Sequence, residues 1–582
     1  MPTSSVFAQV VPPPGSVPPT RGEIEAQTAP AKVPPASQLR VEGGIERAPC
    51  ALAGPEYADI RFTPTEVTFE DLKGLTPAEM RAAYAPFLGA EQPIASVCEI
   101  RDRAATILRD AGYIASVEVP EQRIADGRLR FHVLMAKLVA LRVRGDAGRA
   151  ERKIASYLEP LTGQEVFNRF KAERALLLAS DLPGYSVRLA LRSAGAARGE
   201  VIGEVTVTHI PFLADASIQN LGSRELGRWG AVVRGQLYGL TGMGDRTYLS
   251  LYSMLDTSEQ KTLQIGHDFR PGGDGLTIGA SFTYSWTNPD LDLPNAEVEG
   301  RTLFANVEAS YPLLRSQATN VRAAIGFDFA DQDVELIVPN GAFDLSRDRL
   351  RVGYLRLTAD TAQTRFSDRR YNIFEPRWRM GGFAELRKGL DMFGASPDCR
   401  ADPLRCSTGG HVPPSRLGNP TATVLRTQVQ GEFRPVPRVT LAGSARGQYS
   451  ASPLLSFEEF SGGNYTVGRG YDPGTITGHS GVGLQGEIRF GSLFPSKRDG
   501  LAIEPFLFVD HAIVWNEDRF GAALPRLDLT SMGGGIRAAF GDRLRLDVSL
   551  AAPLDRILPG NRRPDPRLLV SLSTRLWPWS FR

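Results

Sequence analysis

Arg469 is the residue whose type and setting most clearly indicate a chemical task. It stands in Tyr465-Thr-Val-Gly-Arg-Gly-Tyr-Asp-Pro-Gly474, flanked by glycines and followed by a tyrosine. Glycine adopts backbone conformations that other residues resist, so this segment can fold tightly. Arginine offers a planar fork of N–H donors that keeps its charge. The segment is therefore predicted to deliver one permanent positive charge to a confined place.

Segments that resemble catalytic motifs lack the geometry that catalysis requires. Gly478-His-Ser-Gly481 is followed by Val482, where a nucleophile elbow needs glycine. Asp510 and His511 are adjacent, and a strand points adjacent side chains to opposite faces. The sequence has neither a His-Glu-x-x-His motif nor a Gly-x-x-x-x-Gly-Lys-Ser/Thr loop. We expect no catalytic site and no cofactor.

The four cysteines fall into two local pairs. Cys399 and Cys406 bracket a polar loop that contains proline, a natural setting for a disulfide in an oxidising compartment. A zinc site that includes His411 is the alternative, but at least one of the usual four ligands is missing. Cys50 and Cys98 are a second candidate disulfide, between the start of the first folded unit and its long predicted helix.

Length and charge limit the classes of function. A chain of 582 residues is expected to contain several units. The 67 basic and 65 acidic residues leave a net charge of +2, so nucleic acid is not an expected partner. No run of about eighteen apolar residues predicts a transmembrane helix, although alternating barrel strands escape that test.

Residues 1–50 are interpreted as the remnant of a secretory signal followed by a Pro-rich linker. Ser5-Val6-Phe7-Ala8-Gln9 resembles the end of a signal peptide, and we expect the printed start to lie within that signal. An ordinary disordered end is the alternative. Pro12-Pro-Pro14 and Pro34-Pro35 are typical of a linker that packs no core.

Two small α+β units are predicted next, at residues 51–136 and 137–211. In each, the periodicity gives the order β-α-α-β-β, which makes the pair an internal repeat. Repeated modules of this kind usually serve binding.

Residues 212–582 are predicted to form a transmembrane antiparallel β-barrel of about sixteen strands. Arg543 to Leu550 alternates without interruption, with charged or polar residues on one face and Leu or Val on the other. Short turns such as Gly272-Gly-Asp-Gly275 alternate with loops as long as Asp391 to Pro420, as in outer-membrane barrels. The last strand leads into an aromatic patch at Trp577-Pro-Trp-Ser-Phe-Arg582, which suits a membrane interface. A soluble sandwich is the alternative, since its strands also alternate.

This order of units resembles the Omp85 superfamily, and more closely the two-partner secretion transporters of the hemolysin secretion/activation family. Val119-Pro-Glu-Gln-Arg-Ile-Ala-Asp-Gly-Arg-Leu129, with Pro120, Gln122 and Gly127, is similar to the pattern of that family's first POTRA module. Arg174 to Gly184 resembles the corresponding helix and turn of the second module.

The resemblance implies that the loop around Arg469 folds back into the barrel lumen. There the motif of Val467, Gly468, Arg469, Gly470 and Tyr471 would meet an inner-wall partner, Phe508 with Asp510, in Phe508-Val-Asp-His-Ala512. The family pattern has glycine where this chain has Ala512, and Gly468 is a further departure, but neither removes the charge pair. The alternative is an external loop with a solvated arginine.

The resemblance further implies export of a large exoprotein across the bacterial outer membrane without ATP. Periplasmic POTRA modules would capture the client by strand addition, and a monomeric barrel, surrounded by outer-membrane lipid, would conduct it. Arg21 to Gln27 is the only helical candidate in the linker, so a plug helix is not expected. The alternatives are an insertase of outer-membrane proteins and, less favoured, a passive porin.

Overall fold

The protein is described from a computed structural model. The described residues are 18–28, 50, 52, 54–124, 126–195, 198–291, 293–364, 368, 370–401, 406, 411–495, 497, 499–516, 526–557 and 562–578. The proposed signal remnant at residues 5–9 and most of the Pro-rich linker lie outside this set, as does Trp579 of the aromatic patch. Helix α1 spans Arg21–Thr28 and precedes the two small units.

The first unit packs two helices on a three-stranded sheet. Its elements are β1 Arg61–Phe62, β2 Glu66–Glu70, α2 Pro77–Tyr84, β3 Gln92–Pro93, α3 Ser96–Asp110, β4 Ala115–Glu118 and β5 Arg128–Met135. The sheet order is β2-β5-β4, with β2 parallel to β5. Thr76 and Glu79 cap α2 reciprocally, and the hydrogen bonds that Glu79 accepts from Thr76 lower the pKa of its carboxyl group. Met80, Ile100 and Phe131 are fully buried between helices and sheet.

The second unit repeats this arrangement. Its elements are β6 Lys137–Gly145, α4 Glu151–Leu158, α5 Arg169–Ser180, β7 Tyr185–Ser193 and β8 Glu200–His209, with sheet order β6-β8-β7. The long helix α5 begins at Arg169 and does not extend further towards the N-terminus. The preceding residues instead bond to the first unit, since Phe167 N donates to Ala136 O and Arg169 N donates to Gly112 O. Asn168 then caps the helix.

Sixteen of the described strands close into an antiparallel barrel, which confirms the predicted fold class. The barrel strands are β9 Phe212–Gln219, β10 Gly230–Tyr238, β11 Arg246–Met254, β12 Gln260–Phe269, β13 Thr277–Thr287, β14 Glu297–Arg315, β15 Thr319–Val338, β16 Gly341–Ala362, β17 Trp378–Gly389, β18 Thr423–Val436, β19 Val439–Ser450, β22 Ser480–Phe490, β23 Leu501–Trp515, β24 Leu527–Phe540, β25 Leu544–Pro553 and β26 Arg567–Trp577. A separate short hairpin, β20 Phe460–Gly462 with β21 Ile476–Gly478, lies in the loop between β19 and β22. The barrel closes where β26 pairs with β9.

Alternation along the strands separates an apolar outer face from a polar lumen. On β23, Leu507 and Val509 are exposed on the outside, whereas Glu504, Phe508 and Asp510 are buried inside. Because the outer side chains are apolar, this face suits hydrocarbon, and the inner face suits water and ion pairs. Within the described part of the chain, no helix is long and apolar enough to cross a membrane.

The second small unit is bonded to the adjacent rim of the barrel, called the near rim. Asp181, which follows α5, accepts two hydrogen bonds of 2.7 Å from Arg315 at the end of β14. Arg149 Nη1 donates to Leu240 O at 2.7 Å, in the turn between β10 and β11. These contacts place the unit beneath the lumen, and they define the opposite side of the barrel as the far rim.

The lumen contains α1, contrary to the sequence-based expectation that no plug helix is present. Arg21, Glu23, Ile24 and Gln27 are all buried inside the barrel. Ile24 packs with Phe304 and Phe457, and Gln260 Nε2 donates to Gln27 Oε1 at 3.2 Å. Helix α1 is short and polar, and it packs mainly against the charged walls of the lumen. It therefore lacks the apolar stripe that makes a helix detectable from sequence.

Candidate functional site

The loop between β19 and β22 enters the lumen from the far rim and is packed against the inner wall. Val467 is buried against Gly483, where a Cβ atom would lie 2.7 Å from the valine side chain. Gly468 has φ of +119°, and a Cβ atom there would lie 2.4 Å from Leu529. A Cβ on Gly470 would lie 2.9 Å from both Pro553 N and Ser531 Cβ. The glycines therefore allow the close approach that brings Arg469 to the wall.

Arg469 is bonded to Asp510 through side chain and backbone. Its Nε and Nη2 atoms donate to the two oxygens of Asp510 at 2.9 and 2.7 Å, and its backbone N donates to Asp510 Oδ2 at 3.0 Å. The guanidinium carbon lies 3.7 Å from the centroid of the Phe508 ring. Asp510 is fully buried. The sequence-predicted partners thus meet in one bidentate, ring-stacked ion pair.

Three further charged residues extend this pair along the wall, and no motif in the sequence marks them. Arg469 Nη1 donates to Glu487 Oε1 at 2.6 Å. Glu487 also accepts from Arg537 at 2.9 and 3.0 Å, and from Arg489 at 2.6 Å. Glu487 and Arg489 lie two residues apart on β22, so strict alternation could have placed both in the lumen.

Tyr471 gives the loop a second attachment. Its hydroxyl group donates to Thr530 O at 2.9 Å and accepts from the backbone N atoms of Leu554 and Asp555 at 3.1 and 2.9 Å. Arg567 Nη1 donates to the carbonyl oxygen of Tyr471 at 2.9 Å. The five-residue motif is therefore fixed to β23, to β24 and β26, and to the loop between β25 and β26.

A second buried charge cluster joins the loop, the helix α1 and the opposite wall. Arg387 of β17 lies 2.6 Å from Glu458 of the loop and 2.9 Å from Asp328 of β15. Arg21 of α1 lies 3.2 Å from the same Asp328 and 3.6 Å from Glu385. All five side chains are nearly or fully excluded from solvent. Glu385 and Arg387 share one strand face, a pattern visible in sequence, but nothing local indicates their distant partners.

The POTRA motif residues hold a loop of the first unit against its own sheet. Gln122 Oε1 accepts from Arg130 N at 2.7 Å, and Gln122 Nε2 donates to Arg130 O at 2.8 Å. Gln122 Nε2 also lies 3.4 Å from Pro120 O. Gly127 has φ of +75°, and a Cβ atom there would lie 2.3 Å from Thr63 O. These contacts give the motif a structural role within the unit.

Both candidate disulfides are formed in the structure. Cys50 is joined to Cys98 of α3, which ties the segment ahead of the first unit to that unit. Cys399 is joined to Cys406 in the loop between β17 and β18, at the far rim. Among the described residues, no group of three or more His, Cys, Asp or Glu side chains is arranged to hold a metal ion.

The arrangement can hold a lumen closed. Arg469 and Tyr471 fix the loop to one side of the wall. On the other side Arg387 pairs with Glu458 of the loop, and Asp328, which Arg387 also contacts, pairs with Arg21 of α1. Removing one partner of a buried, hydrogen-bonded ion pair typically costs about 3–5 kcal/mol. The loop and α1 therefore remain in the lumen unless several of these ion pairs and hydrogen bonds break together.

Comparisons with known proteins agree with this architecture. The family model for the haemolysin secretion/activation protein ShlB/FhaC/HecB matches residues 204–538, and the model for the ShlB-type POTRA domain matches residues 62–135. A comparison with curated protein sequences gives no match.

Two solved structures share the fold. CdiB from Escherichia coli is 17% identical, with a TM-score of 0.68 over 92% of this chain and 94% of that one. CdiB from Acinetobacter baumannii is 16% identical, with a TM-score of 0.62 over 93% of this chain and 95% of that one. Since the first family model covers more than half of the sequence, the chain belongs to the haemolysin secretion/activation protein family, the outer-membrane transporters of two-partner secretion.

Proposed function

We propose that this transporter exports one large exoprotein, of the hemolysin or adhesin type, through the lumen of a monomeric barrel. The two POTRA modules bind the unfolded client in the periplasm, and outer-membrane lipid surrounds the apolar outer face. Folding of the client outside the cell biases its movement, so no ATP is needed. The observation that carries this proposal is the lumen itself, which is wide, polar and filled by two separately attached elements.

The Arg469–Asp510 pair acts in this proposal as a latch for the closed state. The pair and Tyr471 keep the loop in the lumen, while Arg387 holds Glu458 of the loop beside Asp328, which also faces Arg21 of α1. Because Asp328 faces both Arg21 and Arg387, movement of α1 changes the charge balance around the loop. Entry of the client is therefore expected to release helix and loop together.

The proposed function is tested by deleting the gene and identifying the proteins that are then lost. Mass spectrometry of culture supernatant, cell surface and outer membrane is expected to show loss of one large exoprotein, with other barrels at normal abundance. Complementation with the intact gene should restore that exoprotein. A broad fall in outer-membrane proteins would instead establish an insertase, and no change in any secreted protein would contradict export.

A further inference from the structure

Two near-rim turns present apolar side chains to water at the entrance of the lumen. The turn between β16 and β17 contributes Ile373 and Phe374, and the turn between β22 and β23 contributes Phe494. Their exposed fractions are 49%, 42% and 37%. The two phenylalanine rings lie 5.6 Å apart although the turn between β18 and β19 separates them around the rim. These three residues are called the mouth cluster.

The mouth cluster faces the lumen and not the lipid. It lines the same cavity of about 1480 Å³ as Glu432 and Arg489, which form an ion pair of 2.9 Å on the inner wall. By contrast, the lipid-facing Phe490 and Leu501 near the same turn do not line that cavity. Apolar rings that are exposed at a polar entrance therefore indicate a binding site for a partner.

Local hydrogen bonds hold the rings in this position. Asn372 Oδ1 accepts from the backbone N atoms of Phe374 and Glu375 at 2.8 and 3.0 Å. Ser492 Oγ accepts from Phe494 N at 3.0 Å. Arg434 Nη1 donates to Pro376 O at 2.9 Å, which ties the first turn to the end of β18. Because the backbone of each turn is fixed by these bonds, the rings are pre-organised for contact.

The cavity also connects the second POTRA module with the latch. Its lining includes Leu177 and Asp181 of that module as well as Arg469. The mouth cluster lines the same cavity, on turns other than the β10–β11 turn and the end of β14 to which the module is bonded. A chain that leaves the module for the lumen therefore enters a cavity that the mouth cluster lines.

We infer that the mouth cluster is a contact site for an extended, apolar segment of the exported polypeptide as it enters the lumen. The inference rests on the proposed export function and adds a site within it. Alternate side chains of an extended strand recur about every 6.6 Å on one face, so successive apolar side chains reach the rings in turn. Apolar contact is non-directional and needs no particular sequence, which suits a client that must move on.

Photo-crosslinking in cells tests the contact directly. A benzophenone amino acid is placed at Phe374, at Phe494 and, as the matched control, at Met243, which is exposed on another near-rim turn and does not line this cavity. The probe is the exoprotein whose secretion the deletion abolishes. Crosslinks to it are expected from positions 374 and 494 and not from 243. Crosslinks only to lipid or to a second copy of the transporter would overturn the inference.

Export rates give an independent readout. The double variant Phe374→Ala/Phe494→Ala is expected to export about tenfold less client, the loss typical of truncating a central aromatic contact. Phe374→Leu/Phe494→Leu keeps an apolar surface and should retain most of the export, as should Met243→Ala. Equal barrel abundance in the outer membrane controls for folding. Unchanged export by the alanine variant overturns the inference but leaves the proposed function intact, whereas a deletion strain that loses no exoprotein overturns the function itself.

Discussion

At the scale of single residues, Arg469 has the contacts of a latch, and its removal leaves a buried carboxylate without its cation. In Arg469→Ala, Asp510 keeps no guanidinium partner within a site that is fully excluded from solvent. With about 3–5 kcal/mol lost, the closed loop is disfavoured by a factor of roughly 100 or more. We expect barrel assembly to persist, because sixteen paired strands hold it, and export to fall severely.

The measurement is export of the client together with single-channel conductance, which is expected to rise in Arg469→Ala. Arg469→Lys should be intermediate, since an ammonium group cannot reproduce the bidentate fork. Arg322→Ala is the matched control, because this exposed arginine lines the same lumen away from the latch. Normal export and normal conductance in Arg469→Ala would show that the ion pair is not a latch.

The glycines around Arg469 are a local pattern that the sequence shows by itself, whereas the pairing with Asp510 was predicted from the resemblance to a known family, and alternation only placed Asp510 on an inner face. The sequence did not indicate Glu487 or Arg537 as partners, although both pair within the same cluster. Alternation tells which face a residue occupies, but only the barrel's register tells which residues on that face meet. The network around the pair therefore required the structure.

At the scale of elements, α1 shows where sequence periodicity stops being informative. A helix of eight residues is marginal alone, and this one lacks an apolar stripe. Its position is fixed instead by contacts that begin more than 200 residues away, such as Gln260 to Gln27 and Ser461 to Thr20. The two POTRA units were predictable because each buries an apolar helix face of its own.

The charge on Arg21 is expected to hold α1 in the lumen. Arg21→Ala removes the cation that faces Asp328 and Glu385, so both carboxylates keep fewer compensating charges. We expect a larger fraction of open channels in planar bilayers. Ala26→Ser is the control on the same helix, because Ala26 is exposed and carries no charge. Equal open fractions for the two variants would contradict a role for Arg21 in retaining the helix.

At the scale of the whole molecule, the barrel seam distinguishes export through the lumen from insertion through an opened wall. The seam between β26 and β9 is extended beyond the strand ends by Asn220, whose side chain donates to Leu568 O at 2.8 Å and accepts from Val570 N at 2.7 Å. An insertase that works between its first and last strands must break this pairing. A transporter that conducts its client through the lumen need not.

A disulfide across the seam turns this difference into a measurement. Ser217 and Ser573 are paired directly across β9 and β26, so Ser217→Cys/Ser573→Cys can be locked by oxidation. Export by the locked barrel is expected to equal that of the reduced protein, and a serine-to-cysteine change at either site alone serves as the control. Because sixteen strands already enclose a polar lumen, opening the wall is unnecessary for a chain that enters at the near rim. Loss of export on locking, restored by a reductant, would mean that the wall itself must open and would favour the insertase.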